Sequence, residues 1–175
     1  MSSTEHRVKS VHSINSPVRF EALNEEVIKE VLTKYKTIAI VGLSKDPSKA
    51  SYQVAEYLKN HGFRIIPINP SANEILGEKA YKSLLDMPNE IQKAIEVVDV
   101  FRPSEEVLPI VEQAVKLKKV HSILKVVWMQ LGIVNEQAAE LAKRAGLTVA
   151  MDKCMMQEHR RLLVSRASSE KKQMA

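Results

Sequence analysis

A turn with a single glycine follows a short apolar run and precedes an amphipathic segment, an arrangement that can bind an anion. The run Thr37–Val41 leads directly into Gly42, Leu43 and Ser44, and a polar loop then reaches the amphipathic segment 51–61. Backbone N–H groups at the start of a helix, together with the helix dipole, bind phosphate without a dedicated cationic side chain. We therefore predict that this turn and the loop after it hold a phosphate group.

The residues around the turn disfavour two common phosphate-binding motifs. The further glycines of G-x-G-x-x-G do not follow Gly42, and no G-x-x-x-x-G-K-[ST] run occurs in the chain. A nicotinamide dinucleotide site normally has Asp or Glu at the end of the second strand, where this chain has Asn69 and Pro70. NAD(P) and Walker-type nucleotides are therefore disfavoured. An NAD(P)-dependent oxidoreductase that uses the same cleft stays open as the alternative.

Polar and aromatic side chains also lie at the ends of the other apolar runs. In an open parallel sheet, ligands lie outside the carboxyl ends of the strands, so these loops combine into one site. Their hydroxyls, amides and bases suit an adenine nucleotide with several phosphates, whereas no His, Cys or carboxylate spacing indicates a metal site. The candidates are Lys49, Ser51 and Tyr52 after the first run, Asn69 and Pro70 after the second, Phe101 and Arg102 at the third, Gln130, Leu131 and Gly132 after the fourth, and Cys154 after the fifth.

Five short, nearly continuous apolar runs alternate with amphipathic segments. Such runs are typical of parallel strands that are covered on both faces. The rhythm predicts an α/β fold, with one doubly wound, mainly parallel sheet of about five strands and helices on both faces. The stretch 71–88 breaks the rhythm, and we expect it to lie beside the ligand cleft, with at most a short edge strand near 78–81. The predicted strands are 37–41, 64–68, 96–101, 123–129 and 148–152, and the predicted helices are 25–35, 51–61, 104–117, 135–145 and 155–164.

The 175 residues carry a net charge of +5 that lies at the two ends of the chain. Residues 21–152 hold 17 basic and 18 acidic side chains, so the main body is close to neutral. Basic tails are usually solvated, which argues against a nucleic acid as the main partner. No apolar stretch approaches the length of a membrane helix, no secretory leader is evident, and the chain has one cysteine. We therefore expect a cytoplasmic protein with no membrane partner.

We predict three parts for this chain. Residues 1–20 form a flexible arm, residues 21–164 form one folded domain, and residues 165–175 form a basic tail. Exposed edge strands of the predicted sheet also allow a homodimer.

Five motifs follow one another along the chain: TIAIVGLSKDPSK from residue 37, PINP from residue 67 with ILG from residue 75, VDVFR from residue 98, WMQLG from residue 128 and MDKC from residue 151. In this order they closely resemble the small stand-alone CoA-binding proteins. That family is similar to the CoA-binding domain of the succinyl-CoA synthetase α subunit. The resemblance extends over about residues 37–159 and implies a Rossmann-like CoA site.

The resemblance assigns a role to each loop. It implies that the ligand is coenzyme A or an acyl-CoA, a small molecule that this chain binds without performing chemistry alone. If the pantetheine arm ends near Cys154, its thiol and Cys154 can form a mixed disulfide by exchange. By the resemblance, Gly42, Leu43, Ser44 and Lys49 would take the CoA phosphates, Asn69, Pro70, Phe101 and Arg102 would line the adenosine and pantetheine path, and Gln130, Leu131 and Gly132 would form the far wall.

Overall fold

Strands and helices alternate along residues 23–164, the part of the chain that the computed structural model describes. The predicted arm (1–20) and the predicted tail (165–175) lie outside the described residues. The strands are β1 (Thr37–Val41), β2 (Arg64–Ile68), β3 (Glu74–Ile75), β4 (Glu78–Lys79), β5 (Val97–Val100), β6 (Val126–Met129) and β7 (Thr148–Ala150). The helices are α1 (Glu25–Lys34), α2 (Ala50–Asn60), α3 (Asn89–Gln92), α4 (Val107–His121), α5 (Glu136–Arg144) and α6 (Met155–His159). A 3-10 turn (Ser104–Glu106) precedes α4, and a π-helical turn (Arg160–Val164) follows α6.

Five of these strands form one parallel sheet in the spatial order β2-β1-β5-β6-β7. The chain moves from β1 outward to β2 and then continues on the other side of β1 at β5, so the strand order reverses between β1 and β5. At the end of β1, Val41 is in register with Ile68 of β2 and with Val100 of β5. The carboxyl ends of three strands therefore meet at the reversal, which is where open α/β sheets bind ligands. The predicted doubly wound sheet is confirmed.

Apolar side chains form a packed layer on each face of the sheet. On one face, α4 and α5 cover the strands through residues such as Val111 and Ala142. On the other face, α1, α2 and α6 cover them through residues such as Leu32 and Leu58. Trp128 of β6 is fully buried in this second layer, so its indole is part of the core and is not accessible to a ligand.

Local sequence signals set the helix ends. Asn24 and Asn135 cap α1 and α5, since each side-chain oxygen accepts a backbone N–H of the first turn. Helix α2 ends at Asn60 with His61 as its C-cap, and the next residue, Gly62, has a φ of +83°. None of the helices among residues 23–164 combines the length and the apolar character needed to cross a membrane.

The connection between β2 and β5 differs from the prediction. Strands β3 and β4 form a separate antiparallel hairpin instead of an edge strand of the main sheet, and an isolated bridge joins Tyr81 to Ile68. Lys59 of α2 holds the hairpin, because its Nζ donates to the Leu76 carbonyl at 2.7 Å and to the Glu78 carboxylate at 2.8 Å. Strands of two residues show no alternation of polarity, so the sequence pattern does not indicate them.

Candidate functional site

Gly42 connects β1 to the polar loop and packs directly against the end of β5. Its φ is +85°, and a Cβ at this position would lie 2.7 Å from the Phe101 carbonyl oxygen and 2.8 Å from Arg102 Cδ. The Gly42 N–H donates to the Ile68 carbonyl at 3.0 Å, which continues the pairing of β1 with β2. A residue without a side chain is therefore required here for both conformation and packing.

Hydroxyl groups brace the loop between Gly42 and α2. Ser51 Oγ accepts the Ser44 N–H at 3.0 Å, and Ser44 Oγ accepts the Asp46 N–H at 3.1 Å. Both the backbone N–H and the hydroxyl of Ser48 donate to Asp46 Oδ1, and these hydrogen bonds, the backbone one foremost, lower the pKa of Asp46. Ser51 is buried and its oxygen is used to hold the loop.

Helix α2 begins without a side-chain cap. Lys49 occupies the N-cap position in an extended conformation and makes no capping hydrogen bond, unlike Asn24 and Asn135 at the starts of α1 and α5. The first turn of α2 also contains no acidic residue. Its backbone N–H groups and the positive end of its dipole are therefore available to an anionic ligand.

A cleft of about 730 Å³ opens beside the Gly42 turn, over the carboxyl ends of β2, β1 and β5. This volume lies within the range of pockets that hold small molecules and cofactors. One wall is formed by the residues at and directly after the end of β2, and a second by residues that precede α3. A third wall is formed by the 3-10 turn and the first two turns of α4. The predicted site residues that line this cleft are Gly42, Ser44, Asn69, Pro70 and Arg102.

Asn69 joins two of the predicted loops. Its Nδ2 donates to the Leu43 carbonyl at 2.9 Å, and its Oδ1 accepts the Ser71 N–H at 2.7 Å. A carboxylate at this position could not donate to the Leu43 carbonyl. The amide therefore ties the end of β2 to the Gly42 turn, which gives a structural reason for Asn in place of Asp.

Arg102 forms an ion pair across the rim of the cleft. Its Nε and Nη2 lie 2.8 Å and 2.6 Å from Glu106 Oε2, and both side chains are about half exposed. Two donors on one carboxylate oxygen make a charge-assisted contact, which exposure of both side chains to solvent weakens. Any phosphate that binds Arg102 must compete with this carboxylate.

The remaining predicted residues lie outside the lining of the cleft. Leu43 is fully buried, so the turn presents its backbone alone, while Leu131 is 61% exposed on the loop after β6. The Gly132 N–H donates to Asp152 Oδ1 at 2.7 Å, which joins the loops after β6 and β7. The structure therefore brings the first three loops together in the cleft and the last two together beside it. Also outside the lining are Lys49, Ser51, Tyr52, Phe101, Gln130 and Cys154.

A buried carboxyl group explains the position of Gln130. Gln130 Nε2 lies 2.9 Å from each carboxylate oxygen of Asp99 in β5, and its Oε1 accepts the Met155 N–H at 3.3 Å. Asp99 is fully buried, and this burial raises its pKa to about 7, although the hydrogen bonds from Gln130 and Val100 oppose the increase. Gln130 is therefore committed to joining β5, β6 and α6.

Cys154 occupies the N-cap position of α6 and is half-buried. The nearest histidine along the chain, His159, has its Nδ1 3.0 Å from the hydroxyl of Tyr57. Burial first, and then His61 and Lys36, lower the pKa of His159. His159 is therefore paired with Tyr57, and the mixed disulfide at Cys154 stays a prediction.

Two walls of the cleft contain residues that no sequence motif indicates. The sequence predicts that the stretch 71–88 lies beside the cleft, and four of its residues, Ser71, Lys82, Ser83 and Leu84, line it. Residues on the α4 side had no such signal, because an amphipathic helix does not reveal which polar positions face a ligand. They are Glu105, Glu106, Pro109, Ile110 and Gln113. Within residues 23–164, no group of three or more His, Cys, Asp or Glu side chains is arranged to hold a metal ion.

A doubly wound parallel sheet with a cleft at the reversal of strand order defines the class of Rossmann-like α/β proteins. Within the sequence, residues 36–160 match the family model described as the CoA binding domain. The chain belongs to this CoA-binding domain family, which confirms the resemblance seen in its motifs.

Similar proteins include both small proteins and large ligases. YneT of Bacillus subtilis (strain 168) is 40% identical over 132 residues, which cover 75% of this chain and 91% of YneT. A hypothetical protein of known structure from Pyrococcus horikoshii OT3 is 43% identical, with a TM-score of 0.73, and the match covers 81% of this chain and 93% of that protein. The ADP-forming acetate–CoA ligase of Methanocaldococcus jannaschii is 44% identical over 63 residues, which are 36% of this chain but 9% of the ligase. The chain therefore spans most of YneT and a small part of the ligase.

Replacing Gly42 with Ala is expected to destabilise the protein more than replacing Gly62 with Ala. The two glycines have φ angles of +85° and +83°, so both variants incur the cost of a left-handed backbone, about 1–2 kcal/mol. Position 62 has open space around an added Cβ, whereas position 42 does not. The additional loss at position 42, on the order of 1–3 kcal/mol, is measured by urea denaturation of both variants. Equal losses would contradict the tight packing of the turn on β5.

Replacing Asp99 with Asn is expected to change how stability depends on pH. Between about pH 4 and the raised folded-state pKa of about 7, the unfolded wild-type chain has lost this proton while the folded chain keeps it. The free energy of unfolding of the wild type therefore falls as pH rises through this window. The Asp99→Asn variant lacks this contribution, so it should gain stability relative to the wild type as pH rises. Denaturant titrations at several pH values test this, and a stability difference that is constant with pH would refute it.

Proposed function

We propose that this protein binds coenzyme A or an acyl-CoA, with the phosphates at the Gly42 turn, and performs no catalysis of its own. The observation that carries the proposal is the combination of a sterically required glycine at the end of β1, an uncapped α2 N-terminus and an adjoining cleft at the strand reversal. Membership of the CoA-binding domain family supports the same ligand.

The two ends of the ligand would extend to opposite sides of the turn. The backbone N–H groups at the uncapped start of α2, with Lys49 and Tyr52, would hold the phosphates beside the Gly42 turn. The N–H groups of Gly42 and Ser44 instead hold the turn, because they donate to the Ile68 carbonyl and to Ser51 Oγ. The nucleoside would occupy the cleft beside Asn69 and Pro70, and the pantetheine arm would extend toward Gln130, Gly132 and Cys154. In this arrangement the buried Gln130 supports the loop backbone and does not contact the ligand through its side chain.

The absence of catalysis is proposed from the chemistry of the described residues. A covalent mechanism needs a nucleophile within hydrogen-bond reach of a base. The histidine nearest Cys154 in sequence is hydrogen-bonded to Tyr57. The similar ligases carry out acyl-CoA chemistry, but the match covers 9% of the ligase from Methanocaldococcus jannaschii. Ligand binding is therefore the part of that activity that we carry over to this chain.

Direct titration distinguishes CoA from the oxidoreductase alternative. CoA at about 100 times its dissociation constant should raise the free energy of unfolding by roughly 2.7 kcal/mol, whereas NADH, FAD and ATP at the same concentration should change it little. Asn69 supports this selectivity, because its amide is occupied by Leu43 and Ser71 and is a poor partner for the ribose diol of NAD. Thermal unfolding with each ligand measures the difference. Stabilisation by NADH without stabilisation by CoA would overturn the proposal in favour of an oxidoreductase.

Replacing Glu106 with Gln should increase the affinity for CoA. The change removes the carboxylate that competes with the ligand phosphates for Arg102, so we expect roughly a three- to tenfold tighter dissociation constant by calorimetry. Glu105→Gln is the matched control, since it removes the same charge from the lining of the cleft without releasing Arg102. An equal increase in both variants, or weaker binding by Glu106→Gln, would show that Arg102 does not contact the ligand.

A further inference from the structure

Gln113 of α4 lines the cleft, and the oxygen of its side-chain amide already accepts a hydrogen bond within the protein. Its Oε1 accepts the Leu84 backbone N–H at 3.2 Å, and the residue lines the cleft in a half-buried position. Only the amide oxygen can accept a hydrogen bond from a backbone N–H, so this contact determines the positions of the oxygen and the nitrogen in the Gln113 amide. The Nε2 group, with two donor hydrogens, is the end that remains for a ligand.

Gln113 shares the lining of the cleft with several apolar residues. They are Val41 and Ile68 at the strand ends, Leu84, whose N–H Gln113 accepts, and Pro109 and Ile110 on α4. Pro109 and Gln113 are four residues apart, so they lie on one face of the helix. A flat, largely apolar ring with polar atoms at its edge fits such walls better than a phosphate does.

We propose that this part of the cleft takes the purine base of the ligand and that Gln113 reads the base by donating from Nε2 to a ring nitrogen. This inference rests on the proposed function, because it assumes that the phosphates of CoA lie at the Gly42 turn. The cleft extends from the turn toward β2 and α4, whereas the loops after β6 and β7 lie outside it. The base and the pantetheine arm leave the phosphates in different directions, so the base goes to the side that has the cleft.

The arrangement makes Gln113 a specificity-determining residue. A ligand that covers the amide without offering an acceptor would leave a desolvated donor unpaired, and sites built in this way discriminate strongly against such ligands. The ring nitrogens of adenine are acceptors of the required kind. The hydrogen bond from Leu84 holds the amide in place before the ligand arrives, so the contact requires no rearrangement of the cleft.

Two substitutions separate the donor from the rest of the side chain. Gln113→Glu keeps an oxygen for the Leu84 N–H but replaces the donor with an acceptor, and Gln113→Leu removes the donor without adding charge. The binding probes are CoA, adenosine 3′,5′-bisphosphate, which is its nucleotide half, and 4′-phosphopantetheine, which is its other half. Thermal unfolding of the free variants serves as the folding control, because Gln113→Leu leaves the Leu84 N–H without its acceptor.

Both variants are expected to bind CoA and adenosine 3′,5′-bisphosphate about tenfold or more weakly than the wild type does. Their affinity for 4′-phosphopantetheine should equal that of the wild type. Unchanged affinity for the two adenine ligands would overturn the inference, and so would a loss confined to 4′-phosphopantetheine, since the arm would then occupy the cleft. In either case the wild type still binds CoA and the proposed function stands. A wild type that does not bind CoA would overturn the proposed function and this inference together.

Discussion

The approach of the Gly42 backbone to the Phe101 carbonyl, where β1 meets β5, is the contact on which the site depends. The Phe101 N–H donates to the Val41 carbonyl at 2.8 Å, and the Gly42 N–H donates to the Ile68 carbonyl at 3.0 Å. Backbone hydrogen bonds thus fix the turn from both neighbouring strands, and the missing Cβ lets the three strand ends share one edge. The open start of α2 and the cleft both follow from that edge.

The side chains around the turn are used mainly to hold backbone in place. Asn69 braces the Leu43 carbonyl, Ser51 braces the Ser44 N–H, and Gln130 joins β5 to α6 through Asp99 and Met155. Polar residues at the carboxyl edge of a sheet therefore have two separate uses. Some present groups to the cleft, as Arg102 and Gln113 do, and others position the amides that face it.

The sequence predicts the main sheet well because each strand is a short, nearly continuous apolar run. The bounds of β1 and β2 agree with the predicted runs to the residue, whereas 96–101, 123–129 and 148–152 are shorter in the structure, since a strand ends where its partner ends. The hairpin of β3 and β4 and the short helix α3 have too few residues to show a period. They are set by tertiary contacts such as that of Lys59 with the Leu76 carbonyl, which no local pattern contains.

The same limit applies to the cleft. Residues directly after a strand, such as Asn69 and Arg102, are found by counting along the sequence, because parallel strands bring their ends together. Gln113 lies in the second turn of a helix, and its partner Leu84 is 29 positions earlier in the chain. Only the folded chain brings them together.

Leu43 has a consequence for the kinetics of binding. Its side chain is fully buried in the apolar layer under α1, α2 and α6, and Asn69 holds its carbonyl. A turn anchored in this way has little conformational freedom to lose when it is occupied, so the ordering entropy of a mobile phosphate loop does not oppose association. For the proposed ligand, we therefore expect entry and exit without a slow closing step, so that the contacts at the turn determine its residence time.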